Sequence, residues 1–331
     1  MSLSPLPVHL RLLADQKLGP GAVRLVLAGD DSGALLRLVR QPEFPAFAAA
    51  FPCVVSSGQA VHLSEATLQA LQEAGCRLAD ESVLQQANEF VKPRLRPETL
   101  WLDGDWYLAP PAKLSSSQSA SRVLALKLVQ LVVADADTRD IEDVFRQDPT
   151  LSYHLLRLVN SLGMGATRQI TSFSQAILIL GRQQLRRWLN LMLFASRTDD
   201  HRSAMLLARV AVRARCMELL AQAAGLDRAE QELAFMAGMF SLLGVLFGLP
   251  LAELFKPLQI SEILVAAVLR REGDLGRLLQ SVELAEQGNG AGLADLPDGL
   301  KLDAPRYCLL HLAACQWMLG IVRDAQGGGH A

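Results

Sequence analysis

The chain has 331 residues, half of them hydrophobic and a fifth charged, enough for a sizeable core and for two domains. Its formal charge of -2 removes any whole-molecule attraction to nucleic acid or to an anionic membrane. The opening residues lack a basic stretch followed by an apolar one, and no apolar run reaches the ~18 residues of a membrane span, so the expected location is the cytoplasm. In chain order, residues 8–13, 23–27 and 53–56 read as strands. Residues 33–40 and 64–74 read as helices, the second with Ser64 as N-cap and Gly75 as its stop. Residues 100–108 read as a hairpin turning at Asp103-Gly104. This makes 1–112 a small, reduced α/β domain.

Residues 113–121 (KLSSSQSAS) form a Ser-rich linker. Helices then follow at 122–134, 141–146, 151–162, 174–180, 183–196, 204–224, 228–247, 252–255 and 261–271, with the end of another at 282–286. The helical domain is placed at 122–310, with a Gly-rich loop at 288–299. Residues 311–331 hold the rest of a terminal helix and a disordered tail. The expected fold class is α+β overall, a mostly α-helical C-terminal bundle behind the α/β unit. The five cysteines have no metal or C-x-x-C spacing and read as reduced thiols.

Two strings carry a family resemblance. Residues 148–161 (DPTLSYHLLRLVNS) open with an Asp N-cap and a Pro at the first helical position, and the string 171–189 (TSFSQAILILGRQQLRRWL) follows. In that order they resemble the HDOD domain, a helical module of bacterial signalling proteins. The resemblance implies kinship to HD-type metal phosphohydrolases, in which a His-Asp pair helps to hold a divalent ion. At the corresponding place in residues 237–250 (AGMFSLLGVLFGLP), this chain has Ser241 and Leu242. Leu cannot ligate a metal, and a Ser hydroxyl is a poor substitute for imidazole. None of His9, His62, His154, His201, His311 and His330 precedes an Asp. His154 is read as a helix histidine bonded to backbone rather than as a relic ligand.

Residues 71–82 (LQEAGCRLADES) and 104–111 (GDWYLAPP) resemble the acidic-motif approach and closing strand of an EAL domain, the barrel that cleaves cyclic di-GMP in other bacterial proteins. A complete barrel takes about 250 residues. The 112 here carry no Glu-x-Leu motif outside Glu98 and Leu100, and a single acidic pair, Asp80-Glu81, which reads as a solvated turn. The resemblance therefore implies a truncated, degenerate EAL-like unit.

Between Arg182 and Arg215 stand eight arginines against Asp199 and Asp200. They offer a site for an acidic partner or a nucleotide; alternatively they are helix faces paired by acids such as Glu218, Glu230 or Glu232. Arg186 and Arg213 lie beside apolar stripes and are candidates for interaction or fold specification, as are Asn160 and Ser161 at the end of the first HDOD helix.

The combined expectation is a non-enzymatic regulatory protein of cyclic di-GMP signalling, without cofactor, metal or catalytic residue. Its helical domain would bind another signalling protein. A cyclic dinucleotide is a second candidate ligand, self-association stays open, and neither membrane nor nucleic acid is an expected partner. Two alternatives stand beside it: a residual metal-dependent phosphohydrolase or cyclic di-GMP phosphodiesterase, and a nucleotide-binding receptor without catalysis.

Overall fold

A computed structural model describes residues 8–27, 32–109, 127–131, 134, 136–147, 181, 187, 189, 191, 194, 200–258, 260–288 and 304–326. The linker at 113–121, the helices expected at 151–162 and 174–180, nearly all of the one at 183–196, the loop beyond residue 288 and the tail from 327 lie outside these residues. So do Asn160, Ser161, Arg186 and His154.

The N-terminal part is a six-stranded sheet with helices on one face. Strands β1 (Val8–Ala14) and β2 (Pro20–Leu27) form an antiparallel hairpin. Its turn is tied by Asp15, whose Oδ1 accepts from the amides of Lys17 and Gly19 at 2.9 Å. Helices α1 (Ser32–Val39) and α2 (Glu43–Ala50) lead to β3 (Cys53–Ser56), which pairs parallel to β2. Helices α3 (Ser57–Ala60) and α4 (Glu65–Glu73) precede β4 (Arg77–Ala79), parallel to β3. Ser64 caps α4 by accepting from the Thr67 amide, and Gly75 turns the chain with φ +83°. Strands β5 (Leu84–Gln86) and β6 (Trp101–Asp103) pair parallel, giving the order β4-β3-β2-β1-β6-β5.

The period of two along β1 sorts its side chains. Val8, Leu10, Leu12 and Ala14 join the main core with Leu35, Phe44 and Phe47 of α1 and α2. Leu13 lies in a second cluster with Ala22, Val54 and Trp101, on the face that also carries His9 and Arg11.

One expected element is corrected. Residues 100–108 are not a hairpin: Trp101–Asp103 is a strand between β1 and β5, while Trp106–Leu108 is a 3-10 turn with Trp106 and Tyr107 buried. The partner strand β5 has three residues, too short to announce itself by alternation. Once β6 pairs with it, the aromatic pair after Gly104 is free to pack against the helices instead of back on β6.

The helical part is built around α6 (Ser203–Ala223), buried on nearly every side, Arg209, Arg213 and Glu218 included. α5 (Thr138–Gln147) precedes it. α7 (Arg228–Phe240) starts with an Asp227/Glu230 capping box. The single helix expected at 228–247 breaks at Ser241, and α8 (Leu243–Phe247) ends at Gly248, φ +62°. By length and composition Arg228–Phe247 could cross a membrane, but most of it is buried inside the protein, as in a core helix pair. α9 (Leu251–Phe255) and α10 (Glu262–Val265) follow, then a π turn at Ala266–Arg270, α11 (Gly273–Glu286) and α12 (Ala304–Gln326). α12 packs on α6 and reaches β1, where the Cys308 thiol donates to the Val8 carbonyl at 3.4 Å. One hydrophobic cluster runs through both parts. All five cysteines are free thiols.

Candidate functional site: an arginine-bearing pocket backed by buried ion pairs

The parallel strands β3, β4 and β5 end around a cavity of about 740 Å³. That volume lies in the range of small-molecule sites. Arg24 of β2 enters it as a charged side chain among Val23, Leu25 and Val26, all three apolar. Its Nη2 donates to Ser56 Oγ at 3.3 Å, its Nη1 pairs with Asp103 Oδ2, and its Nε is buried with no acceptor. Asp103, almost fully buried, is also approached by Arg11 Nε at 3.1 Å and Gln86 Nε2 at 3.4 Å.

Beside the cavity the 94–99 segment is clamped by Gln85, itself a lining residue. Its Nε2 donates to the Arg94 carbonyl at 2.8 Å, and its Oε1 accepts from the Arg96 amide at 3.0 Å and from Thr99 Oγ1 at 2.7 Å. This places the Arg96 guanidinium on the rim, donating to the Glu81 carbonyl. Asp80 and Glu81 are exposed on the same rim. Asp80 Oδ1 accepts from the Ser82 hydroxyl and, at 2.9 Å, from the Ser82 amide, and these bonds hold its carboxyl below the usual range. The acidic pair is thus both a capped turn and part of the pocket wall. Among the described residues no group of three or more His, Cys, Asp or Glu side chains could hold a metal ion. The carboxylates on this wall do not fit a two-metal centre.

Behind the pocket the charges continue into the helices. Arg11 Nη2 comes within 4.0 Å of Asp105 Oδ2. Arg209 of α6 donates to Asp105 Oδ1 at 2.9 Å and to Tyr107 Oη at 3.0 Å, and lies 3.5 Å from Glu286 Oε2. Arg213, one turn on, holds Glu286 through two nitrogens, donates to Ser241 Oγ at 2.8 Å and pairs with Glu283 at 3.3 Å. Arg271 grips both Glu283 oxygens, at 2.8 and 2.9 Å. Burial disfavours the charges of Arg209, Arg213 and Glu286, but the opposite charges beside them outweigh it. The Arg209 and Arg213 pKa values are therefore raised and that of Glu286 lowered. His311 packs beside this cluster, and burial pushes it down to about 4.

Of the residues singled out in the sequence, Arg213 is buried and fully engaged within the chain. Ser241 accepts from it and donates to the Gly238 carbonyl at 2.6 Å, and Leu242 is buried in the core. The described arginines of the stretch find acids within the protein. Arg187 pairs with Glu218 and Glu232, Arg202 with Asp200, and Arg215 with Glu218. Arg24, Arg96 and Asp103 did not stand out. The available signal was a charged residue at an inward register of an otherwise apolar strand.

Residues 121–275 match the HDOD domain. Over 243 residues the chain is 32% identical to the protein named Cyclic di-GMP phosphodiesterase CdgJ from Vibrio cholerae, covering 72% of this chain and 55% of that one. It is 27% identical over 192 residues to the uncharacterized protein YuxH of Bacillus subtilis, covering 57% and 46%. The chain thus spans about half the length of the curated relatives it matches. A solved structure from Shewanella amazonensis SB2B, carrying a phosphohydrolase name, aligns with TM-score 0.41 and 17% identity over 60% of this chain and 93% of that one. That likeness is too slight to carry an argument. The expectation of a non-enzymatic protein is corrected here: the relative from Vibrio cholerae bears an enzyme's name, and points toward catalysis. The chain carries an HDOD domain at residues 121–275 and has a homologue named as a cyclic di-GMP phosphodiesterase.

Proposed function

We propose that this chain acts in cyclic di-GMP turnover as a phosphodiesterase, and that the pocket at the ends of β3, β4 and β5 receives the cyclic dinucleotide. The observation that carries this reading is that two arginines, Arg24 and Arg96, both line a cavity of about 740 Å³. A cyclic dinucleotide has two phosphodiester anions, and guanidinium is the side chain best shaped to hold phosphate oxygens. The resemblance of residues 71–82 and 104–111 to an EAL domain and the 32% identity to a named phosphodiesterase support the same ligand. The reaction adds water across one P–O bond and yields the linear dinucleotide.

The test is incubation of the purified chain with cyclic di-GMP, with and without magnesium or manganese, reading the linear product by chromatography. Cleavage is expected, and Arg24→Ala should reduce it at least tenfold. Absence of both cleavage and binding overturns the proposal.

A further inference from the structure

Arg11 and Arg24 are directly opposite each other in the β1–β2 ladder, so their side chains leave the same face of the sheet. Two like charges so placed repel each other. Asp103 of β6 stands between them and takes one contact from each. Its side chain is 2% exposed, so it is itself kept from the open cavity. One carboxylate facing two guanidiniums leaves a surplus positive charge, and the helical ion pairs do not remove it. Along the whole chain of contacts, Arg24, Arg11, Arg209, Arg213 and Arg271 share only Asp103, Asp105, Glu286 and Glu283. The cation nearest the cavity is Arg24, whose buried Nε has no acceptor.

We infer that Asp103 is a positioning residue: it holds the Arg24 guanidinium in the pocket wall, where that side chain can contact a phosphodiester oxygen, and does not touch the ligand itself. Ser56 supplies the second hold, on Nη2. This rests on the pocket binding cyclic di-GMP. A residue that acts only through Arg24 has a distinct signature, because its removal costs nothing once Arg24 is gone.

The experiment is calorimetric titration of cyclic di-GMP into the full chain and its Arg24→Ala, Asp103→Asn and doubly substituted forms, with circular dichroism to check folding. Asp103→Asn should weaken binding about fivefold to tenfold and Arg24→Ala more. The double form should be no weaker than Arg24→Ala alone. Multiplying losses, or Asp103→Asn binding like the parent, overturn the role given to Asp103. If Arg24→Ala binds like the parent, or the parent does not bind, the pocket reading itself fails and takes this inference with it. Should Asp103→Asn not fold, Ser56→Ala replaces it. A loss of about twofold to threefold, absent when Arg24 is already Ala, is then expected, and a loss that persists without Arg24 is contrary.

Discussion

Arg209 donates to Asp105 Oδ1 at 2.9 Å, joining two residues 104 positions apart. The same guanidinium reaches Tyr107 Oη at 3.0 Å and nears Glu286 at 3.5 Å, so one side chain of α6 ties the end of the sheet to α11. Replacing it by Met removes the shortest contact of a half-exposed Asp105 and one of two arginine partners of a buried Glu286. Breaking a buried pair from one side costs roughly 3–5 kcal/mol. The lower end is expected here, because Asp105 reaches water and Glu286 keeps Arg213. Urea midpoints of Arg209→Met and Arg209→Lys measure it, with Lys intermediate because it keeps the charge and loses the fork.

The pair of Arg213 and Glu286 should be strongly coupled. Glu286→Leu alone leaves a buried guanidinium with only Glu283 and Ser241, and Arg213→Met alone leaves Glu286 with Arg209. Each should cost about 3–5 kcal/mol, and the two together clearly less than their sum. A double-mutant cycle read by chemical denaturation decides, and strict additivity would count against the ion pair.

Two glycines should resist any side chain. At Gly104, φ +146°, an added Cβ would lie 2.0 Å from the Ala87 carbonyl oxygen, and at Gly238 it would lie 2.8 Å from the Ala214 Cα where α7 crosses α6. Both obstacles are backbone, so Gly104→Ala and Gly238→Ala should exceed the ~1–3 kcal/mol of ordinary overpacking. Gly320, exposed in α12 with nothing within 4 Å of an added Cβ, is the control. Gly320→Ala should stabilise by up to about 1 kcal/mol through helix propensity. Thermal midpoints of the three variants provide the check.

Stability should fall in mild acid. Burial pushes His311 down to about 4, with the Glu286 carboxylate opposing and Arg209 and His9 adding to the shift. An unfolded histidine titrates near ~6.5. Between those values the unfolded chain binds a proton that the folded chain refuses. The His311 contribution is therefore complete above about pH 6.5 and is lost as pH falls, levelling near about pH 4; it amounts to about 3 kcal/mol. His9, also lowered by burial, acts in the same direction. Urea midpoints across this range should drop for the parent and drop less for His311→Gln. Equal slopes would mean that His311 is not the titrating group.

Local chemistry explains which elements were legible. Cys53–Ser56 and the Ser64-capped α4 carry their own signals, a β-branched run and a cap followed by a glycine stop. α6, expected at 204–224 and found at Ser203–Ala223, is legible because it is a long run rich in Ala, Leu, Met and Arg with no Gly or Pro to break it. The strands β4 and β5 have three residues each, and only neighbours make them strands. The mistaken hairpin at 100–108 has the same origin: Asp-Gly is a turn signal wherever it stands, and cannot tell which partner the next strand will find. The candidate site was the least legible part. Arg24, Asp103 and Arg96 come from separate elements and meet only through the sheet order.

By itself the sequence determined the α/β start, the helical remainder and the HDOD resemblance, because periodicity, caps and motif strings are local in the chain. Only the tertiary structure decided that the arginines of α6 point inward, that Asp103 sits between Arg11 and Arg24, and that a pocket lined by Arg24 and Arg96 opens beside them. Charge pairing and cavity shape depend on distances between residues far apart in sequence, and those distances exist only once the chain has folded.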